Sequence, residues 1–224
     1  MKLAMLLSGG KDSVYAGYLA KTKFNHEIVC AITIISENKY SYMFHTPSVG
    51  KTKKQSDAMG IPPIIKKTSG KKEEELKDLE NAIKNAIKKY KIQGITTGAI
   101  QSVYQSSRIQ KICDKLKIEC LNPLWQISEE DYLNDLIKNN FKIIVTGVFA
   151  YPLNEKFLGR EIDKKFIEEV KKLNQKYKIS MIGEGGEYET FVLNCPLFRR
   201  ELKIKSFKDF KEGENSFRRE IEVK

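Results

Sequence analysis

Over its first 121 residues the chain alternates short apolar runs with stretches of helical period, and that alternation leaves few folds open. Residues 2–7 read as a first strand, and a helix follows over about 13–23. Residues 28–35 are apolar nearly throughout and β-branched, the pattern of a parallel strand covered on both faces. Thr46 before Pro47 marks an N-cap with proline at the first helical position, and Gly60 closes that helix near Met59. A third strand is expected at 63–67. Between 71 and 90, Leu76, Leu79, Ile83, Ile87 and Tyr90 recur at helical spacing among charges. A strand at 95–97, a helix with Ile109, Ile112, Cys113 and Leu116 on one stripe, and a strand at 118–121 complete the series. The expected fold is α/β, a doubly wound parallel sheet.

After Trp125 the pattern changes. Ser128 with Asp131 forms a capping box for a helix to about Asn139. Strands are expected at 141–149, 190–193, 201–207 and 216–223, with a long helix whose stripe is Ile162, Phe166, Val170, Leu173 and Tyr177. A second, smaller α+β domain is therefore expected, with the boundary at 123–128.

Composition serves mainly to exclude. A chain of 224 residues can bury a core without disulfides. Cys30, Cys113, Cys120 and Cys195 include no C-x-x-C pair, which argues against zinc, cluster or redox chemistry. No apolar run reaches membrane-span length and the first, at residues 3–7, is too short for a signal peptide, so the expected location is the cytoplasm and no membrane partner is expected. The formal net charge of +11 favours acidic partners: nucleotides, RNA or an acidic protein surface. Because 34 of the 40 basic residues are lysines, this charge reads more as solvated surface than as a phosphate-recognition face.

Ser8-Gly9-Gly10-Lys11-Asp12-Ser13 stands directly after the first strand and opens the first helix. The glycines let backbone approach a ligand, and the helix start offers unpaired N–H groups and a positive dipole end. Ser8 and Ser13 add hydroxyls to a nest suited to a diphosphate. The spacing is neither that of a Walker A loop nor G-x-G-x-x-G. Three more stretches sit where parallel sheets place ligands or carry unusual charge. One is the segment with Tyr40, Tyr42, Phe44 and His45, which could equally be the packed inner side of a loop. The second runs from Gly98-Ala99-Ile100 through Tyr104 to Arg108, whose guanidinium suits either bidentate phosphate contact or a surface ion pair. The third is Gly183-Glu184-Gly185-Gly186-Glu187-Tyr188-Glu189-Thr190, with three carboxylates in six residues.

The first motif resembles the PP-loop of the ATP pyrophosphatase superfamily, with its adenine-nucleotide-hydrolase-like sheet. Together with the other three stretches, the chain resembles the diphthine–ammonia ligase family over essentially its whole length. The resemblance implies a PP-loop ATP-binding domain over 1–125 and a substrate-binding α+β domain over 126–224. It implies that ATP, with Mg2+, adenylates the carboxylate of diphthine, a modified histidine of translation elongation factor 2. Ammonia then displaces AMP to give diphthamide, with pyrophosphate as the other product. Ser8, Gly9, Gly10, Lys11, Asp12, Ser13, Ile32, Gly98, Ala99 and Ile100 are the implied ATP-binding residues, with Asp12 also beside the magnesium. Lys11, Asp12, Arg108 and Glu187 are the implied catalytic residues. Tyr42, His45, Tyr104, Glu184, Gly185, Gly186, Glu187, Tyr188, Glu189 and Thr190 would hold the substrate, since a quaternary ammonium is held by carboxylates and aromatic faces. Free ammonium is the expected nitrogen source, because position 2 is Lys2 and no glutaminase cysteine is in place. The competing reading is a PP-loop enzyme that thiolates tRNA or makes lysidine. The carboxylate-rich stretch at 183–190 would repel nucleic acid, so that substrate is not expected. A non-catalytic nucleotide-binding module is the third reading.

Overall fold

The computed structural model describes residues 1–38 and 49–224. β1 (Lys2–Leu6), β2 (Glu27–Ser36), β3 (Pro63–Thr68), β4 (Gly94–Thr96) and β5 (Glu119–Leu121) form one sheet in the order β3-β2-β1-β4-β5, and every pairing is parallel. The intervening helices are α1 (Lys11–Thr22), α2 (Thr52–Met59), α3 (Lys72–Tyr90) and α4 (Val103–Leu116). Alternate residues on the central strands face opposite layers, as the pleat requires. Ala4, Cys30, Ile32 and Ile34 pack with Leu79, Ile83 and Ala86 of α3 and Ile109, Ile112 and Cys113 of α4. Met5 and Ala31 pack on the other side with Val14, Tyr15 and Ala16 of α1. The sheet is doubly wound, as expected. Its strand order reverses between β1 and β4, so the loops leaving those parallel strands diverge and open a crevice at their carboxyl ends.

The rest of the chain adds α5 (Glu129–Lys138), β6 (Lys142–Val148), α6 (Lys164–Tyr177), β7 (Tyr188–Asn194), β8 (Ile204–Gly213) and β9 (Ser216–Val223). The four strands form an antiparallel sheet in the order β7-β6-β9-β8. Ser128 caps α5, its hydroxyl accepting from the Asp131 N–H at 3.4 Å. Asp163 does the same for α6 through Phe166 N at 2.8 Å, so Ile162 packs in the core just ahead of the helix.

Several expected boundaries move. The first helix begins at Lys11 with Gly10 as its N-cap, so Lys11 and Asp12 belong to its first turn. The strand expected at 201–207 runs over Ile204–Gly213 instead. Leu202, fully buried, lies before the strand, and β8 is an exposed edge strand without apolar alternation. Gly60 closes α2 in the left-handed region at φ 70°, as expected, while the proposed cap at Thr46-Pro47 lies outside the described residues. The helices α3, α4 and α6 end on left-handed lysines, Lys91, Lys117 and Lys178.

The two sheets share one apolar core. Tyr15 of α1 packs against Tyr132 of α5 at 5.4 Å between ring centroids and edge-on against Phe141 at 5.2 Å. Leu133, Leu136, Val145, Phe166 and Val170 extend the same cluster, and the Tyr18 hydroxyl donates to Asn139 Oδ1 at 2.8 Å. A cluster that crosses from residues 5–31 to 132–195 ties the stability of the two halves together. Phe141→Ala is expected to cost about 3–5 kcal/mol. Urea unfolding followed by far-UV circular dichroism and by the fluorescence of Trp125, the one tryptophan, should give coincident single transitions in both proteins.

Candidate active site

The phosphate-loop sequence spans the turn between β1 and α1, at the crevice the strand order creates. Gly9 turns the corner with φ 93°, a left-handed conformation that a side chain resists. The Ser8 hydroxyl donates to Ser13 Oγ at 3.1 Å, and the Ser13 hydroxyl donates to the Gly10 carbonyl at 3.1 Å. In this arrangement the two hydroxyls bond within the loop, while both serines line the cavity that opens beside it. The donors that remain are backbone N–H groups at the start of α1, Asp12 and Ser13, which have no carbonyl four residues back inside the helix.

β7 holds this loop from the side. Val192 N–H donates to the Gly9 carbonyl at 3.0 Å and Lys11 N–H donates to Thr190 Oγ1 at 3.1 Å. The fully buried Gln55 of α2 donates from Nε2 to Gly9 O at 2.9 Å and to Val192 O at 2.8 Å, tying loop and strand together. Lys11, also buried, donates from Nζ to the Ile182 carbonyl at 2.6 Å and pairs with Asp12 at 3.0 Å. The Tyr132 hydroxyl donates to Asp12 Oδ1 at 2.8 Å. Burial, with the Asp12 charge beside it, holds that phenol well above the ordinary tyrosine range.

A cavity of about 500 Å³ opens here, a volume suited to a small ligand such as a nucleotide. Ile32, Ile34, Leu79 and Ile109 give it an apolar end. Ser8, Gly10, Lys11, Asp12 and Ser13 form a second wall and Thr97, Gly98, Ala99, Ser102 and Gln105 a third. A Cβ on Gly98 would stand 2.7 Å from Asp12 C and Ser13 N, so only glycine lets this turn lie against the start of α1. The fourth wall is Gly183, Glu184, Gly185, Gly186, Tyr188, Glu189 and Thr190. Burial raises the Glu184 carboxyl, whose Oε1 accepts from Gln101 N at 3.1 Å. Burial also raises Glu189, to about 8, with Lys11 opposing and Glu212 adding to the shift.

Most of the residues singled out in the sequence meet at this cavity, but not all. Glu187 is turned away: its Oε1 accepts from Ser180 N at 2.7 Å, bracing the 180–187 loop, and its side chain does not line the cavity. Ile100 is wholly buried in the core, and Gly9 lies behind the loop wall. The Arg108 guanidinium rests 3.5 Å from the Tyr104 ring centroid, and neither residue lines the cavity. Tyr188 lines it, yet its hydroxyl is spent on Met181 O at 2.7 Å. Tyr42 and His45 lie outside the described residues. Two residues that shape the site were missed, Gln55 and Tyr132. For Gln55 the signal available is a polar stripe at helical spacing, Thr52, Gln55 and Ser56, unusual for a buried face. Tyr132 is indistinguishable in sequence from an ordinary core aromatic.

The expected magnesium is compatible with this donor set. Among the described residues no three His, Cys, Asp or Glu side chains converge as a protein cage. Asp12, about one-third exposed, is the single carboxylate in the loop, which suits an ion held chiefly by phosphate oxygens.

The family described as diphthamide synthase N-terminal domain matches residues 1–120, and that described as diphthamide synthase C-terminal domain matches 128–223. A Bos taurus protein named diphthine–ammonia ligase is 33% identical, the match covering 92% of this chain and 84% of that one. The Homo sapiens protein of the same name gives the same figures. A Schizosaccharomyces pombe protein of that name is 30% identical over 91% of this chain but only 36% of its own length. A solved structure described as a predicted subunit of tRNA methyltransferase from Methanocaldococcus jannaschii covers 90% of this chain and 99% of its own, at 16% identity and a TM-score of 0.42, too distant to bear on fold or function.

Gly98→Val should push the third wall off the start of α1. Affinity for a non-hydrolysable ATP analogue, measured by titration calorimetry, is expected to fall about tenfold or more, with far-UV circular dichroism unchanged. An unaltered affinity would mean the turn can yield.

Proposed function

The chain belongs to the diphthamide synthase family, and on that premise we propose that it is the ATP-dependent ligase that amidates diphthine on translation elongation factor 2 with ammonia. The observation that carries this reading is that the phosphate loop and the carboxylate-bearing wall at 183–190 open on one cavity. A nucleotide fits with its adenine at the Ile32, Ile34, Leu79 and Ile109 end, its ribose beside the Thr97–Ala99 turn, and its β and γ phosphates at the start of α1. Backbone donors there stabilise charge as it develops on departing pyrophosphate, leaving AMP on the carboxyl oxygen of diphthine. Magnesium beside Asp12 would neutralise phosphate charge. Lys11 is engaged by Ile182 and Asp12, so its part is to tie the phosphate loop to the substrate wall.

Diphthine brings a carboxylate and a trimethylammonium group. Glu184 offers a half-buried negative charge for the quaternary nitrogen. Gln105 lines the cavity beside the Tyr104–Arg108 stack, which we assign to the elongation factor around the modified side chain rather than to phosphate. We read residues 1–125 as the ATP-binding part and 126–224 as the substrate-binding part, sharing a core. No helix among the described residues is long and apolar enough to cross a membrane. On the ligase reading the reaction takes place in the cytoplasm, where the elongation factor works.

The test uses purified protein, labelled ATP, Mg2+ and ammonium chloride. AMP and pyrophosphate are expected to accumulate in equal amounts only when diphthine-bearing elongation factor is added, which gains a neutral amide by mass spectrometry. Formation of ADP, or turnover that depends on tRNA instead, would contradict the reading.

A further inference from the structure

An ammonia ligase faces a protonation problem. In neutral solution its nitrogen substrate is almost wholly ammonium, which has no lone pair for attack on an acyl carbon. A group in the cavity that binds that cation and takes a proton from it would make the whole ammonium pool usable, rather than the small fraction present as free ammonia.

Glu189 suits this role by geometry. It sits near the start of β7, half-buried, on the wall that faces the phosphate loop. Its Oε2 is buried and has no hydrogen-bond partner among the described residues. A carboxylate oxygen so placed calls for an N–H donor. Ammonium presents N–H groups on every side, whereas a trimethylammonium group presents none and is matched by diffuse charge and aromatic faces. The neighbouring acids are placed differently. Glu184 Oε1 already accepts from Gln101 N, and Glu187, whose Oε2 is also unpartnered, does not line the cavity.

We infer that Glu189 is the catalytic base that binds ammonium in this cavity and removes its proton, an assignment that rests on the ligase reading above. One N–H bond of ammonium breaks and its proton passes to Glu189 Oε2. The freed lone pair forms the C–N bond as the acyl C–O bond breaks, and the electron pair leaves on the phosphate of AMP. A second proton passes from nitrogen to water, leaving the neutral amide. Charged groups act on Glu189 from several elements. Lys11 of α1 favours its ionised form and Glu212 of β8 opposes it, with Arg218 of β9 paired to Glu212 at 2.9 Å. Asp12 stands on the phosphate-loop wall and Glu184 on the same wall as Glu189. Burial outweighs these, and with titration at about 8 the ionised fraction of Glu189, which grows as pH approaches that value, is basic enough to take a proton from ammonium.

The experiment compares the wild-type chain with Glu189→Gln and Glu189→Asp on diphthine-bearing elongation factor. ATP–pyrophosphate exchange without a nitrogen source reads adenylation, and product mass reads amidation. Glu189→Gln is expected to keep exchange within about threefold while kcat/KM for ammonium falls about a hundredfold or more. Hydroxylamine, uncharged at neutral pH, should restore product formation in the variant to within about threefold of wild type with the same nucleophile. The ammonium reaction of the wild type should level off above about pH 8, whereas that of Glu189→Gln should keep rising as free ammonia accumulates, and Glu189→Asp should fall between. Loss of exchange in the variants alone would place Glu189 in ATP or protein binding and overturn the assignment. An unchanged kcat/KM for ammonium would overturn it too. A wild-type chain without exchange would instead remove the ligase reading.

Discussion

The hydrogen bond from Val192 N–H to the Gly9 carbonyl joins the two sheets at the phosphate loop, and the rest of the site follows from it. A single buried backbone bond contributes only about 1 kcal/mol net, but leaving its partners unpaired costs more. Gln55 closes the same junction from a third direction, and Thr190 receives the first N–H of α1. β7 cannot slide relative to the loop without orphaning several buried polar groups at once. Since Glu189 precedes Thr190 on that strand, the distance between the phosphate loop and the acidic wall is fixed by the same bonds that hold the loop. The shared core around Tyr15, Tyr132 and Phe141 makes this junction rigid rather than a hinge between separately folded parts.

Charge is arranged more economically than the sequence total of +11 suggests. Within the site the one lysine of the loop is paired with Asp12 and bonded to the Ile182 carbonyl, so on the proposed reading the attraction for phosphate would come from oriented N–H groups rather than from side-chain cations. The opposite wall is acidic and half-buried. Burial raises the carboxyls of Glu184 and Glu189 above the ordinary range, Glu189 to about 8, which lowers the wall's negative charge near neutral pH without abolishing it. One cavity can thus hold a polyphosphate and a cationic partner side by side.

Much of this was legible in the sequence because the relevant signals are local. Alternation of apolar runs with helical stripes fixes a parallel sheet, and a glycine pair after the first strand fixes where its crevice lies. What could not be read depends on direction and distance. A glutamate in a glycine-rich loop can face either way, and Glu187 faces Ser180 while Glu189 faces the cavity. Gln55 and Tyr132 act on the loop from 46 and 120 residues away, separations at which no spacing rule operates. The bounds of β8 are not legible because an exposed edge strand carries no apolar period, and the buried Leu202 lies outside it.

The most direct test of the central claim is a crystal structure with a non-hydrolysable ATP analogue and magnesium. The β and γ phosphates are expected against the N–H groups of Asp12 and Ser13, adenine against Ile32 and Ile34, and the α-phosphate turned toward Glu184 and Glu189. Triphosphate bound elsewhere, or turned with its α-phosphate away from the acidic wall, would contradict the account.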